Sequence, residues 1–110
     1  MIRGILVKPN ELPQIIEFAE GYKELQRLVE GYIEMPYIFD DVDVVINEEG
    51  KLNGSLPNKK LFYDGNLVDI IFGNIVLVGS NEDGETISLT DKQIEKYMKI
   101  MSEVVIEMEV

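Results

Sequence analysis

Asp69-Ile70-Ile71-Phe72-Gly73-Asn74-Ile75-Val76-Leu77-Val78-Gly79 is the stretch on which the fold turns. Its second half, Ile75-Val76-Leu77-Val78, is an unbroken apolar run rich in β-branched residues and closed by glycine. Such a run offers no polar side to water, so it reads as the most buried strand of a sheet, with the core centred on it. Working outward, Asp64-Gly65 upstream is a tight reversal, and Asn47-Glu48-Glu49-Gly50 is a turn whose glycine is expected to hold a positive φ. Tyr32-Ile33-Glu34-Met35 and Val42-Asp43-Val44-Val45-Ile46 read as further strands. Asn58, following Pro57, is expected to open a short helical turn.

Toward the N-terminus, Ile2 to Val7 is a strand stopped by Lys8-Pro9-Asn10, and Gln14 to Phe18 extends after Pro13, so the two suggest a hairpin. Between Tyr22 and Glu30, the apolar residues Leu25, Leu28 and Val29 fall at i, i+3 and i+4, one face of a short helix closed by Gly31 in the C′ role. Downstream, Thr90 with Gln93 three residues later forms a capping box. It opens a helix from Asp91 to Met101 whose stripe of Ile94, Tyr97, Met98 and Met101 fits packing on a sheet. The closing Val104 to Val110 reads as a frayed tail or a late strand, with Ile106, Met108 and Val110 on one side. An unpaired strand there invites edge-to-edge dimerisation. The expected fold is a single α+β domain over residues 1–110: a twisted mixed or antiparallel sheet of about five or six strands with two helices, residues 103–110 forming a flexible tail or edge strand.

Composition narrows the chemistry. The 110 residues include no histidine and no cysteine, and 21 Asp and Glu face 10 Lys and Arg, for a net charge of −11. A Ser-His-Asp or Cys-His nucleophile and a Cys/His zinc site lack their residues, and no cofactor or metal motif is present. Clustered lysine and arginine are needed to neutralise phosphates, so direct nucleic-acid binding and an anionic membrane surface are both disfavoured. Met1 runs straight into Ile2-Arg3-Gly4-Ile5 with no apolar leader, which reads as a soluble cytoplasmic protein. Cationic partners fit the charge best.

The acids concentrate in Asp40-Asp41-Val42-Asp43 and Glu82-Asp83-Gly84-Glu85, beside turn-forming residues. They read as solvated loop carboxylates or as an acidic face, built from Asp40, Asp41, Asp43, Glu82, Asp83 and Glu85, for a basic protein. A second constellation is Asn47, Asn58 and Asp69 with Tyr32, Phe62 or Tyr63 as aromatic walls and Lys59-Lys60 as the one basic doublet. These groups either fix their own turns or line a pocket for a small molecule such as a nucleotide signal. A third reading pairs Glu48 or Glu49 with Asp69 as acid and base.

Gly31-Tyr32-Ile33-Glu34, Asn47-Glu48-Glu49-Gly50-Lys51-Leu52, Leu56-Pro57-Asn58, Asp69-Ile70-Ile71-Phe72-Gly73 and Ser88-Leu89-Thr90-Asp91 occur in an order that resembles a family of small proteins. That family comes from bacteriophages, conjugative elements and bacterial genomes and is known as a domain of unknown function. One departure is Glu30, where the family usually carries a second glycine before Gly31. The resemblance implies a mobile-element setting and brings no catalytic residues with it. Together with the charge, it points to a non-catalytic acidic protein, a counter-defence inhibitor that binds a basic host protein, with homodimerisation as a further expectation.

Overall fold

The computed structural model describes residues 1–109. Its elements run β1 (Ile2–Val7), β2 (Gln14–Phe18), α1 (Tyr22–Val29), β3 (Ile33–Glu34), β4 (Asp43–Asn47), β5 (Pro57–Tyr63), β6 (Asn66–Phe72), β7 (Ile75–Ser80), β8 (Thr86–Ile87), α2 (Asp91–Ile100) and β9 (Val105–Glu107). The fold is α+β, with a six-stranded sheet in the order β2-β1-β7-β4-β3, β8 joining β7, and a separate three-stranded sheet in the order β6-β5-β9. The first sheet is antiparallel throughout; the second mixes an antiparallel β5–β6 pair with a parallel β5–β9 pair.

β7 lies between β1 and β4, and all four side chains from Ile75 to Val78 are fully buried. The two-residue period of a strand sends them alternately to opposite faces. Ile75 and Leu77 meet a cluster that includes Leu61 and Ile71 of the second sheet, Ile106 of β9, and Ile94, Tyr97 and Met101 of α2. Val76 and Val78 meet Leu25 and Val29 of α1, with Leu6 and Phe18. The six-stranded sheet is therefore the middle layer, with α1 on one face and the second sheet plus α2 on the other. Each apolar side chain removed from water in this way contributes about 1.5–3 kcal/mol.

Local chemistry explains the element ends. The Thr90 hydroxyl accepts from the Gln93 N–H at 3.1 Å, and the Thr90 N–H donates to Gln93 Oε1 at 2.9 Å, completing the capping box. Asp64 and Gly65 both take positive φ, 51° and 79°, and close the β5–β6 hairpin. Helix α1 closes differently from the sequence expectation: the left-handed residue is Glu30, with φ 64°. Its N–H bonds Arg27 O at 3.3 Å while Gly31 N–H reaches Gln26 O at 3.0 Å, so Gly31 stands one place beyond C′. The turn after β4 also departs from expectation, because Gly50 is absent from the positive-φ positions. Glycine is required there by space: a Cβ at Gly50 would sit 2.5 Å from Phe72 O.

One further expectation is corrected, and one left between two alternatives is decided. Pro57 opens strand β5 and Asn58 continues it, with no helical turn, because Asn58 gains main-chain partners from distant segments. Of the two alternatives for the closing segment, the structure has the late edge strand: β9 lies at the edge of the second sheet, paired in parallel with β5 through Leu61↔Ile106. Val110, expected on the side of Ile106 and Met108, lies outside the described residues.

Replacing Val76 with Asp places an unpaired carboxyl between the sheet and α1, a cost of several kcal/mol set against the about 5–15 kcal/mol holding a domain folded. The expected outcome is loss of the cooperative thermal transition followed by circular dichroism. A variant that melts as the wild type does would contradict the placement of β7 at the centre.

Candidate functional site

The polar constellation read from the sequence does not converge on a pocket. Asn47, at the end of β4, donates from Nδ2 to Val29 O at 3.0 Å and Glu30 O at 3.2 Å, and its Oδ1 accepts from Glu49 N–H at 2.7 Å. Together with Asn74, which donates to Leu28 O at 3.0 Å, it satisfies the carbonyls that the C-terminus of α1 leaves open. The fit is close enough that a Cβ on Gly31 would lie 2.6 Å from Asn47 Nδ2. Asn58 donates to Val7 O at 3.0 Å and Gly73 O at 2.8 Å, tying the second sheet to the first. Lys59 is buried, and its ammonium donates to Met101 O at 2.8 Å and Glu103 O at 2.7 Å at the end of α2. Burial pushes the pKa of that ammonium down.

The remaining members point elsewhere. Asp69 pairs with Lys51, and that hydrogen bond holds its carboxyl below the ordinary carboxylate range. It lines a shallow depression of about 410 Å³ with Leu67, Val68, Ile70 and Phe72. Tyr32, Lys60, Tyr63, Glu48 and Glu49 are exposed, and Phe62 is half-buried. The reading of these asparagines as fixers of backbone describes what they do here.

The acidic runs behave otherwise. Asp43 lies opposite Val78, and Ser80 lies opposite Thr86, so the entry to β4 and the turn from Asn81 to Glu85 share one end of the six-stranded sheet. Register brings the end of β2, with Glu20 just beyond Phe18, to that same end. Asn81 orders the turn, its Oδ1 accepting from the N–H groups of Asp83 and Glu85 at 3.0 Å and its Nδ2 donating to Glu85 Oε1 at 3.1 Å. Among the described residues, no lysine or arginine lies within salt-bridge reach of Glu20, Asp43, Glu82, Asp83 or Glu85.

Two members of the first run are engaged internally as well. Asp40 accepts the Tyr37 hydroxyl, which raises the pKa of that phenol. Asp41 accepts the hydroxyl of Tyr97, while its main-chain carbonyl accepts from Gln93 Nε2 at 2.8 Å, so it braces α2. Burial first, and then the Asp41 carboxylate, push the Tyr97 phenol far above its ordinary range. Glu109 also approaches that hydroxyl at 3.3 Å, and Lys96 sits 3.9 Å from Asp41 and 3.7 Å from Glu109.

At the acidic end opens a groove of about 600 Å³. Its floor is apolar, from Ile2, Phe18, Leu25 and Ile33, and its walls present Tyr22, Met35 and Ile87. All three wall residues are exposed large apolar side chains. The carboxylates of Glu20 and Glu85 stand on its rim, beside the start of α1 at Gly21. Of these residues, sequence reasoning singled out Glu85 alone; the others come from separate segments that only the sheet register brings together.

Residues 2–102 match the family described as Domain of unknown function (DUF3846). The chain belongs to DUF3846. No curated protein and no solved structure matches it. Among the described residues of this DUF3846 chain, no group of three or more Asp or Glu is arranged to hold a metal ion, and no helix is long and apolar enough to cross a membrane.

The contact between Gly31 and Asn47 predicts non-additive energetics. Gly31→Ala is expected to lower stability by about 1–3 kcal/mol, because it displaces an amide that satisfies buried carbonyls. In an Asn47→Ala background the same change is expected to cost less than half as much, read by urea denaturation as a double-mutant cycle. Equal costs in both backgrounds would show that Asn47 is not what position 31 must accommodate.

Proposed function

We propose that this DUF3846 chain is a non-catalytic binding module whose acidic end receives a basic, extended segment of a partner protein. One observation carries the reading: two uncompensated acids distant in sequence, Glu20 and Glu85, line a groove with an apolar floor, at the sheet end that also holds Asp43, Glu82 and Asp83. Each part has a role. The carboxylates steer a cationic partner and set its register, while the apolar floor supplies the contact area that charge alone does not. With −11 on 110 residues, the long-range field also accelerates encounter with a basic surface. In the phage or conjugative-element setting that the motif resemblance suggests, the fitting partner is a basic host protein in the cytoplasm and the outcome is inhibition of that protein.

The nucleotide-signal reading has less support, because the Asn58 amide and the Lys59 ammonium are already bonded to main-chain carbonyls. The carboxylate-enzyme reading is weakened likewise, since Asp69 is paired with Lys51 in an open depression.

The test uses a fluorescent peptide of alternating lysine and leucine, with anisotropy recorded at low and at moderate salt. Wild-type protein is expected to bind it with an affinity that falls at least tenfold as salt rises, about 1.4 kcal/mol. Glu20→Gln with Glu85→Gln is expected to weaken binding by a similar factor, and Ile87→Ser to weaken it with the salt dependence intact. Lys59→Met and Lys60→Met, made separately, are expected to leave it unchanged. Binding indifferent to the groove variants would overturn the proposal.

A further inference from the structure

Asn53 is the one asparagine of this chain that precedes a glycine, and the fold holds it differently from the others. The Nδ2 groups of Asn47, Asn58 and Asn74 are bound to main-chain carbonyls, Asn66 donates to Asp64 O at 3.2 Å, and Asn81 donates to Glu85 Oε1. Asn53 is exposed in the turn between β4 and β5, at the opposite end of β4 from Asp43 and the acidic groove. Its main chain is anchored, the N–H donating to Glu49 O at 3.0 Å. Among the described residues, its Nδ2 donates to no acceptor, while its oxygen is doubly held. Oδ1 accepts from the Ser55 N–H at 3.0 Å and from the Ser55 hydroxyl at 2.6 Å. The ring closed by the Ser55 N–H bond contains both the Gly54 nitrogen and the Asn53 carboxamide carbon, which keeps the two together. Gly54 N–H has no acceptor among the described residues, whereas the Gly84 N–H of Asp83-Gly84 is tied to Asn81 O at 3.0 Å.

We propose that Asn53-Gly54 is a site of spontaneous covalent modification, at which Asn53 converts to aspartate and isoaspartate with Ser55 as a positioning residue. The two donors on Oδ1 draw charge from the carboxamide carbon and stabilise the oxyanion that forms when it is attacked. Glycine puts no Cβ beside the attacking nitrogen, and at Gly54, with φ 84°, even an added Cβ would meet nothing within 4 Å. Solvent hydroxide takes the proton from Gly54 N–H, and the nitrogen bonds to Asn53 Cγ. The Cγ–Nδ2 bond then breaks, Nδ2 takes a proton from water and leaves as ammonia, and the hydroxide is returned. Water opens the resulting five-membered imide in one of two ways. Cleavage between the Gly54 nitrogen and Cγ leaves aspartate. Cleavage between that nitrogen and the Asn53 main-chain carbonyl carbon leaves isoaspartate, whose main chain runs through Cβ. Either product adds one negative charge to the −11 of the chain, and isoaspartate also lengthens the link between the two sheets by one carbon.

The test incubates the full chain at neutral and at mildly alkaline pH in oxygen-18 water, then maps each asparagine by peptide mass spectrometry, with enzymatic methylation to count isoaspartate. Wild type is expected to convert at Asn53 about tenfold faster than at any other asparagine, and faster as pH rises because hydroxide is the base. Ser55→Ala is expected to slow the conversion about threefold and Ser55→Thr to restore it, with circular dichroism confirming that both are folded. Chain unfolded in urea is expected to convert more slowly than folded chain at the same pH, since the bonds from Ser55 to Oδ1 are lost. An Asn53 that keeps its amide would overturn the inference. So would a rate that Ser55→Ala leaves unchanged, or one that rises when the chain is unfolded.

Discussion

The burial of β7 on both faces is the constraint from which the rest of the structure follows. Four consecutive apolar side chains point alternately to opposite sides of the six-stranded sheet, so neither side can be left to water. One face takes the short helix α1; the other takes α2 and a second sheet. With both faces covered, the surfaces left for recognition are the ends and edges of the layers. The acidic groove lies at one such end, where β7 turns back through Asn81–Glu85 into β8.

The opposite end of the sheet is closed by polar side chains that act on main chain. Asn47 and Asn74 satisfy the end of α1, Asn58 joins β5 to β1 and to the β6–β7 link, and Lys59 satisfies the end of α2. Among the described residues, no buried side-chain nitrogen or oxygen lacks a partner. A buried donor left without an acceptor costs about 1–3 kcal/mol, so these groups are committed to the fold. What remains for function is the set of groups the fold does not use: open carboxylates and exposed apolar side chains.

This division explains what the sequence made legible. Apolar runs bounded by turn residues placed β1, β2, β4 and β7, the 3.6-residue period placed both helices, and the Thr90–Gln93 capping box marked the start of α2, because each signal is local. The second sheet was hidden. Pro57-Asn58-Lys59-Lys60 reads as a polar turn, and only the carbonyls of Val7, Gly73, Met101 and Glu103, all distant in sequence, turn it into a buried strand. The helix end was read one residue late, because Gly31 signalled a left-handed turn that Glu30 makes, while Gly31 answers to the Asn47 amide. Acidic residues dense along the sequence identified Asp40–Asp43 and Glu82–Glu85, but their density did not separate Asp41, which braces Tyr97, from the carboxylates left without a basic partner. Tyr22, Met35 and Ile87 carried no signal at all, since each becomes a groove wall only through the register of separate strands.

The central claim is that the acidic end is where a basic partner segment is received. Two-dimensional amide NMR of the labelled protein, recorded during titration with the lysine–leucine peptide, tests it residue by residue. The account predicts that shifts concentrate at Phe18–Tyr22, Ile33–Met35 and Asn81–Ile87, and that the amides of β5 and β6 stay where they are. Shifts centred on Asn58–Lys60 or on Leu67–Phe72 would contradict it.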